Sequence, residues 1–183
     1  MKRIFFFIIL FFSIQSQSQT YIKANALTAL IAVPNVGVET SIGKKSTLQI
    51  DALASFWKSI NGLPYQIFTL TPEYRYHFKE KYNGFYAGAN VGGTVYKLSK
   101  GVHMGLGQYE KGFGYFMGAT VGYETKINDK FMLDFFVGGG WHQGFYKGYF
   151  AATGERYETA QHYNKSGEWL PYRGGVMISY KLN

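Results

Sequence analysis

The chain has 183 residues and a formal net charge of +8, with 23 glycines, 16 tyrosines, 16 phenylalanines, four prolines and no cysteine. The missing cysteine excludes a disulfide framework, a thiolate metal site and a lipid-modified N-terminal cysteine. A mean hydropathy of -0.14 argues against a bundle of membrane helices. The basic balance comes without the CxxC, RNP-type or helix-turn-helix patterns of a nucleic-acid binder, so no nucleic acid is expected as a partner.

The first residues read as a leader. Met1 to Arg3 are basic, Ile4 to Ile14 form an apolar run too short to span a bilayer, and "QSQSQT" is polar with small residues at Ser16 and Ser18. This is the layout of a cleavable secretory signal over 1–18, with one domain over 19–183. An exported chain without cysteine draws its stability from burial, in protein or in lipid.

Aromatic and β-branched residues fit a pleated surface, and abundant glycine works against helices. The mature chain accordingly reads as strands with one oily face each. "YIKANALTALI" is the first and least regular, with Lys23 and Asn25 on one parity. "VGVETSI" sets Val36, Val38 and Ile42 against Glu39, and "TLQIDALASF" sets Leu48, Ile50, Ala52, Ala54 and Phe56 against Gln49, Asp51 and Ser55. In "QIFTLTPEYRYHF", Phe68, Leu70, Tyr74, Tyr76 and Phe78 oppose Thr69, Thr71, Glu73, Arg75 and His77. "FYAGANVGGTVY" opposes Phe85, Ala87, Ala89, Val91 and Val95 to Asn90 and Thr94. "FGYFMGATVGYET" opposes Phe113, Tyr115, Met117, Val121 and Tyr123 to Thr120 and Glu124. "KFMLDFFVGGGWH" opposes Phe131, Leu133, Phe135, Val137 and Trp141 to Asp134 and His142. "YRGGVMISYKL" closes the series, with Tyr172, Val176, Ile178, Tyr180 and Leu182 opposite Arg173, Met177, Ser179 and Lys181.

Eight such segments predict an all-β fold: an eight-stranded antiparallel up-and-down transmembrane β-barrel, oily side to lipid. The connections "GKKS", "KEKYNG" and "NDK" are short, whereas "WKSINGLPY", "KLSKGVHMGLGQYEKG" and the stretch from Lys147 to Trp169 are long. Short periplasmic turns and longer extracellular loops are the pattern of the outer membrane of a Gram-negative bacterium. The short "AVPN" on the loop side breaks the alternation. Trp57, Tyr82, Trp141 and Trp169, near strand ends, are candidates for interfacial girdles or for loop anchors.

The polar faces carry Lys23, Glu39, Asp51, Glu73, Arg75, Glu124, Asp134, Arg173 and Lys181. An eight-stranded barrel has an interior just wide enough for side chains to fill, so these groups are expected to pair into a plugged lumen. The aromatic and basic residues Trp57, Tyr65, His103, Tyr109, Arg156, Tyr157, His162 and Trp169 are the candidates for binding through the loops.

The segments "VPNVGVETSIGKKSTL", "TPEYRYHF" and "GGVMISYKL" carry a resemblance. With their P-N-x-G-V-E, G-K-K and P-x-x-R-Y-x-F patterns, they resemble a domain-of-unknown-function family of short, OmpA-like outer-membrane barrels, across roughly Thr20 to Leu182. The resemblance implies an eight-stranded outer-membrane barrel and offers no active-site residues to carry over. It also implies reading by the barrel-insertion machinery, which commonly uses a terminal aromatic. This chain ends in Leu182 and Asn183, so Tyr180 is expected to stand in.

The expected function is structural or adhesive, with outer-membrane lipid and glycolipid and an unknown extracellular ligand as partners and with no cofactor. One alternative is a secreted lipocalin-like ligand-binding barrel, which reverses the oily and charged sides. Another is a lipid-modifying enzyme using His142, His103 or His162 with Ser99 or Ser166. No nucleophile elbow or His-Ser adjacency supports it, and four dispersed histidines supply no metal-ligand spacing.

Overall fold

The computed structural model describes residues 19–99, 105–157 and 162–183. The leader expected over 1–18 and the candidate His103 lie outside these residues.

Eight antiparallel strands run up and down in chain order within one sheet: β1 (Thr20–Asn25), β2 (Asn35–Ser41), β3 (Ser46–Ile60), β4 (Leu63–His77), β5 (Gly84–Leu98), β6 (Gln108–Lys126), β7 (Phe131–Phe150) and β8 (Asn164–Lys181). Each strand pairs with the next, and β1 also pairs with β8, with Tyr21 opposite Lys181 and Ala24 opposite Ile178, giving the strand order of a closed barrel. The closing β1–β8 pairing covers Met177–Lys181 only, and β2 pairs with β3 as far as Leu53, so the upper parts of β3 and β8 rise past their short neighbours.

The first strand is shorter than its sequence pattern predicts. It stops at Asn25, and one helical turn, α1 (Ala26–Leu30), follows. The Asn25 side chain accepts from the Leu27 and Thr28 backbone N–H groups, and alanine and leucine are strong helix formers. A good N-cap therefore overrides the weak alternation of "NALTALI".

The long connections also differ from expectation, because the strands extend into them. "WKSINGLPY" is a strand-borne hairpin in which Asn61 and Gly62 form the two-residue turn, with φ of 52° and 82°. Two consecutive positive φ values are what a tight hairpin with native twist demands, and Asn-Gly supplies them most readily. β6 reaches back to Gln108, and β7 runs to Phe150. Consequently Trp57, Tyr65, Tyr109 and Trp169 sit on strands, where the pairings Trp57↔Tyr65, Tyr109↔Tyr149 and Trp141↔Trp169 hold them.

Two prolines mark local breaks in the pairing. Between Leu70↔Gly93 and Glu73↔Asn90 the β4–β5 ladder lapses at Pro72, which lacks an N–H to donate. Pro171 lies where the β7–β8 register shifts between Gly138 and Gly140, the kind of bulge at which strands tolerate proline.

Alternate side chains point to opposite faces, and the two faces are chemically inverted relative to a water-soluble protein. The outer face presents Phe85 at 66 % exposure, Val121 at 58 %, Val137 at 57 % and Ile50 at 54 %, while Lys23, Glu39, Arg75, His77, Glu124 and Asp134 inside are 0 % exposed. No helix among the described residues is long and apolar enough to cross a membrane.

Candidate functional site

The interior divides into two halves. The half nearest the short turns is filled by charge. Lys23 of β1 donates to Glu39 at 2.5 Å, Asp134 at 2.6 Å and Glu124 at 3.0 Å. Arg75 of β4 reaches the same three carboxylates at 3.1, 2.8 and 3.2 Å through Nη1, and Glu73 at 2.9 Å through Nε. Two cations thus share three acids contributed by β2, β6 and β7, binding together strands more than a hundred residues apart in sequence. Arg173 of β8 extends the network, meeting Asp51 at 2.8 Å and Glu73 at 3.2 Å.

His77, on the same inner parity as Glu73 and Arg75, places Nε2 2.8 Å from Glu124 Oε2 and Nδ1 3.4 Å from the Lys45 carbonyl oxygen. Glu39, His77 and Glu124 together have the donor set of a metal site. The Lys23 ammonium already lies against both carboxylates, so a divalent ion there would have to displace a buried cation.

Of the predicted lumen residues, Lys23, Glu39, Asp51, Glu73, Arg75, Glu124, Asp134 and Arg173 are brought into this one network. Lys181 is not part of it. It is the last residue of β8, half-exposed at the rim. The network therefore holds five carboxylates against the cations of Lys23, Arg75 and Arg173, with His77 as a further titratable base.

Tyr86 and Thr47, which the sequence reading did not single out, complete the packing together with Gln49 of the polar face. Tyr86 donates to Asp134 Oδ1 at 2.9 Å while its ring lies 4.5 Å beneath the Arg75 guanidinium carbon. Thr47 donates to Glu39 at 2.5 Å, and Gln49 to Asp51 at 3.0 Å. Tyr86 shares the parity of Asn90 and Thr94, so alternation alone locates it. Two inward glycines make room: a Cβ at Gly88 would strike the Glu73 carboxylate, and one at Gly122 would meet the Tyr86 ring at 2.5 Å.

Of the two readings, girdle or loop anchor, the structure fits the anchor for Tyr82. Although it lies in the short "KEKYNG" turn, a φ of 63° swings its ring inward. It is fully buried against Tyr21 and Met132, and its hydroxyl donates to the Gln19 carbonyl oxygen at 2.6 Å. This cluster closes the short-turn end.

The other half of the interior holds a cavity of about 540 Å³. Leu53, Ile67, Leu98, Phe116, Phe136 and Leu170 form its walls, and Asp51, Thr71 and Arg173 its floor. Ile31 and Val33, just after α1, border it as well. The expectation of a lumen plugged throughout holds for one half only, because the inner positions near the long connections mix apolar residues with Thr69, Thr94, Tyr96 and His142, and those four lie outside the ion-pair network described above.

The loop candidates are dispersed. Tyr109 stacks on Tyr149 at 5.3 Å with the Lys97 ammonium over its ring at 4.9 Å. Tyr157 packs on Phe150, next to Arg156, and His162 is exposed. Trp57 is tied down, its Nε1–H donating to the Ile31 carbonyl at 3.1 Å. Tyr65 lines the cavity mouth, and Trp169, 74 % exposed, lies on the outer face against Trp141. Among the enzyme candidates, Ser99 Oγ is committed to the Gln108 carbonyl at 2.5 Å.

An antiparallel eight-stranded sheet around buried ion pairs defines the chain as a small all-β protein of up-and-down topology. It belongs to the family described as "Protein of unknown function (DUF3575)", whose model matches residues 3–182. No curated protein and no solved structure matches the chain.

Proposed function

We propose that the chain is an outer-membrane β-barrel of a Gram-negative bacterium, exported by a cleaved leader, with a non-enzymatic structural or surface-interaction role. The observation that carries this reading is the inversion of the two faces. A belt of Phe, Val, Ile and Tyr covers the outside, and the fully buried side chains inside include Lys23, Arg75 and four carboxylates. Soluble monomers rarely expose contiguous apolar patches beyond a few hundred Å², whereas lipid covers such a belt at no cost. Lipid and glycolipid are the partners of the belt, and the insertion machinery delivers the chain. The strand ends beside the long connections, with their Tyr-Lys and Tyr-Tyr contacts, face an external ligand.

A secreted ligand-binding barrel is the second reading, favoured by the apolar cavity of about 540 Å³. Site-directed labelling separates the two. Because the chain has no cysteine, Thr153→Cys and Lys44→Cys each introduce a single thiol, at the long-connection and short-turn ends respectively. A membrane-impermeant maleimide applied to intact cells is expected to label Thr153→Cys in the outer-membrane fraction and to leave Lys44→Cys unlabelled until the cells are broken. Recovery of both variants from the soluble periplasm or the medium contradicts the membrane reading.

A further inference from the structure

We propose that the cavity in the long-connection half of the barrel is a binding site for one uncharged amphiphile, an apolar body carrying a neutral oxygen such as a hydroxyl, carbonyl or ester. The inference concerns the interior and holds whichever medium surrounds the outer face.

Shape comes first. A cavity of about 540 Å³ lies within the roughly 300–1,000 Å³ typical of small-molecule sites. It is a cup, because the ion-pair network and the Tyr21, Tyr82 and Met132 cluster fill the short-turn half beneath it. An apolar molecule entering past Ile31 and Tyr65 meets walls of Leu53, Ile67, Leu98 and Phe116. Most interior space in a folded protein is filled by side chains, and here the chain leaves a volume unfilled among Ile, Leu, Phe and Thr positions, with Tyr96 and His142 also on its wall.

The floor selects the head group. The Arg173 side chain is 7 % exposed and lines the cavity; its Nη1 is ion-paired with Glu73, yet its Nε has no hydrogen-bond partner, and neither does the hydroxyl of buried Thr94. An unmade bond at a buried donor costs about 1–3 kcal/mol, so an acceptor that reaches these groups recovers it. That acceptor is neutral. Arg173 is already shared between Asp51 and Glu73, and an anionic head would bring a third negative charge onto one guanidinium. A cationic head would face Arg173 itself, while both oxygens of Asp51 are occupied by Asn35, Gln49 and Arg173.

The test uses the full mature chain in lipid nanodiscs, its strand content checked by circular dichroism. Decanol, decanoate and decylammonium, three heads on one tail, are titrated against bound phenylnaphthylamine, with empty nanodiscs subtracted. Decanol is expected to displace the dye saturably at a concentration at least about ten-fold below the other two. Ile67→Trp, which fills the cup, is expected to abolish displacement, and the near-isosteric Thr94→Val to weaken decanol several-fold without altering the fold. If Ile67→Trp does not fold, Thr69→Phe serves as the filling variant. Equal displacement by all three heads, a preference for decanoate or decylammonium, the same displacement in a folded filling variant, or no dye binding above that of empty nanodiscs overturns the proposal.

Discussion

Arg75 is fully buried with its guanidinium against four carboxylates, those of Glu39, Glu73, Glu124 and Asp134. Removing one partner from a buried ionic network leaves uncompensated charge, which typically costs about 3–5 kcal/mol. Arg75→Ala is therefore expected to destabilise the protein by about that amount in urea unfolding from lipid vesicles; an unchanged midpoint would mean the network contributes nothing to the fold. Lys23→Met should behave likewise, and adding Glu39→Gln to it should restore part of the loss, since the second change removes one of the acids left without a cation. Gly122→Val should be destabilising for a steric reason, its side chain entering the volume of the Tyr86 ring, and a double variant Gly122→Val, Tyr86→Ala should be less affected by the valine. Non-additivity in that cycle is the readout.

At the level of elements, most of the architecture was legible because period-2 alternation is a strong signal wherever one face is oily. Glu73, Arg75 and His77 read as one inner face, and they converge there. Three things were hidden. Asn25 acts as a helix cap only because α1 follows, so strand propensity ran past the true end of β1. Asn61-Gly62 carried a hairpin signal in plain view, yet its flanks "WKSI" and "LPYQ" look like loop until the turn is taken as their registration point. Tyr82 was illegible, since nothing in "KEKYNG" announces the positive φ that turns its ring inward. The turn itself is testable: Gly62→Val, at φ 82°, is expected to destabilise the hairpin by about 1 kcal/mol or more, whereas Gly62→Asn, which tolerates that region, should cost less. Equal effects would argue against the two-residue turn.

Across the whole molecule the wall is uneven. β1 and β2 have 6 and 7 residues, β6 and β7 have 19 and 20. A tilted membrane strand needs about 9–11 residues, so in the proposed bilayer setting the tall side would project well beyond the lipid at the long-connection end, where Tyr109 and Tyr149 lie. The charge-filled half gives the fold an ion-paired base, and the half above it gives a cup. The cup was not anticipated from sequence, because the inner positions Ile67, Leu98 and Phe116 differ from the outer ones in parity and hardly at all in hydrophobicity.

The central claim, an inverted barrel held in lipid, is tested most directly by electrophoretic migration of the outer-membrane fraction and of refolded protein, with and without boiling. The unboiled protein is expected to come from the outer membrane and to run faster than the boiled form, as a closed barrel resisting detergent does. A soluble species whose mobility is the same before and after boiling would contradict it.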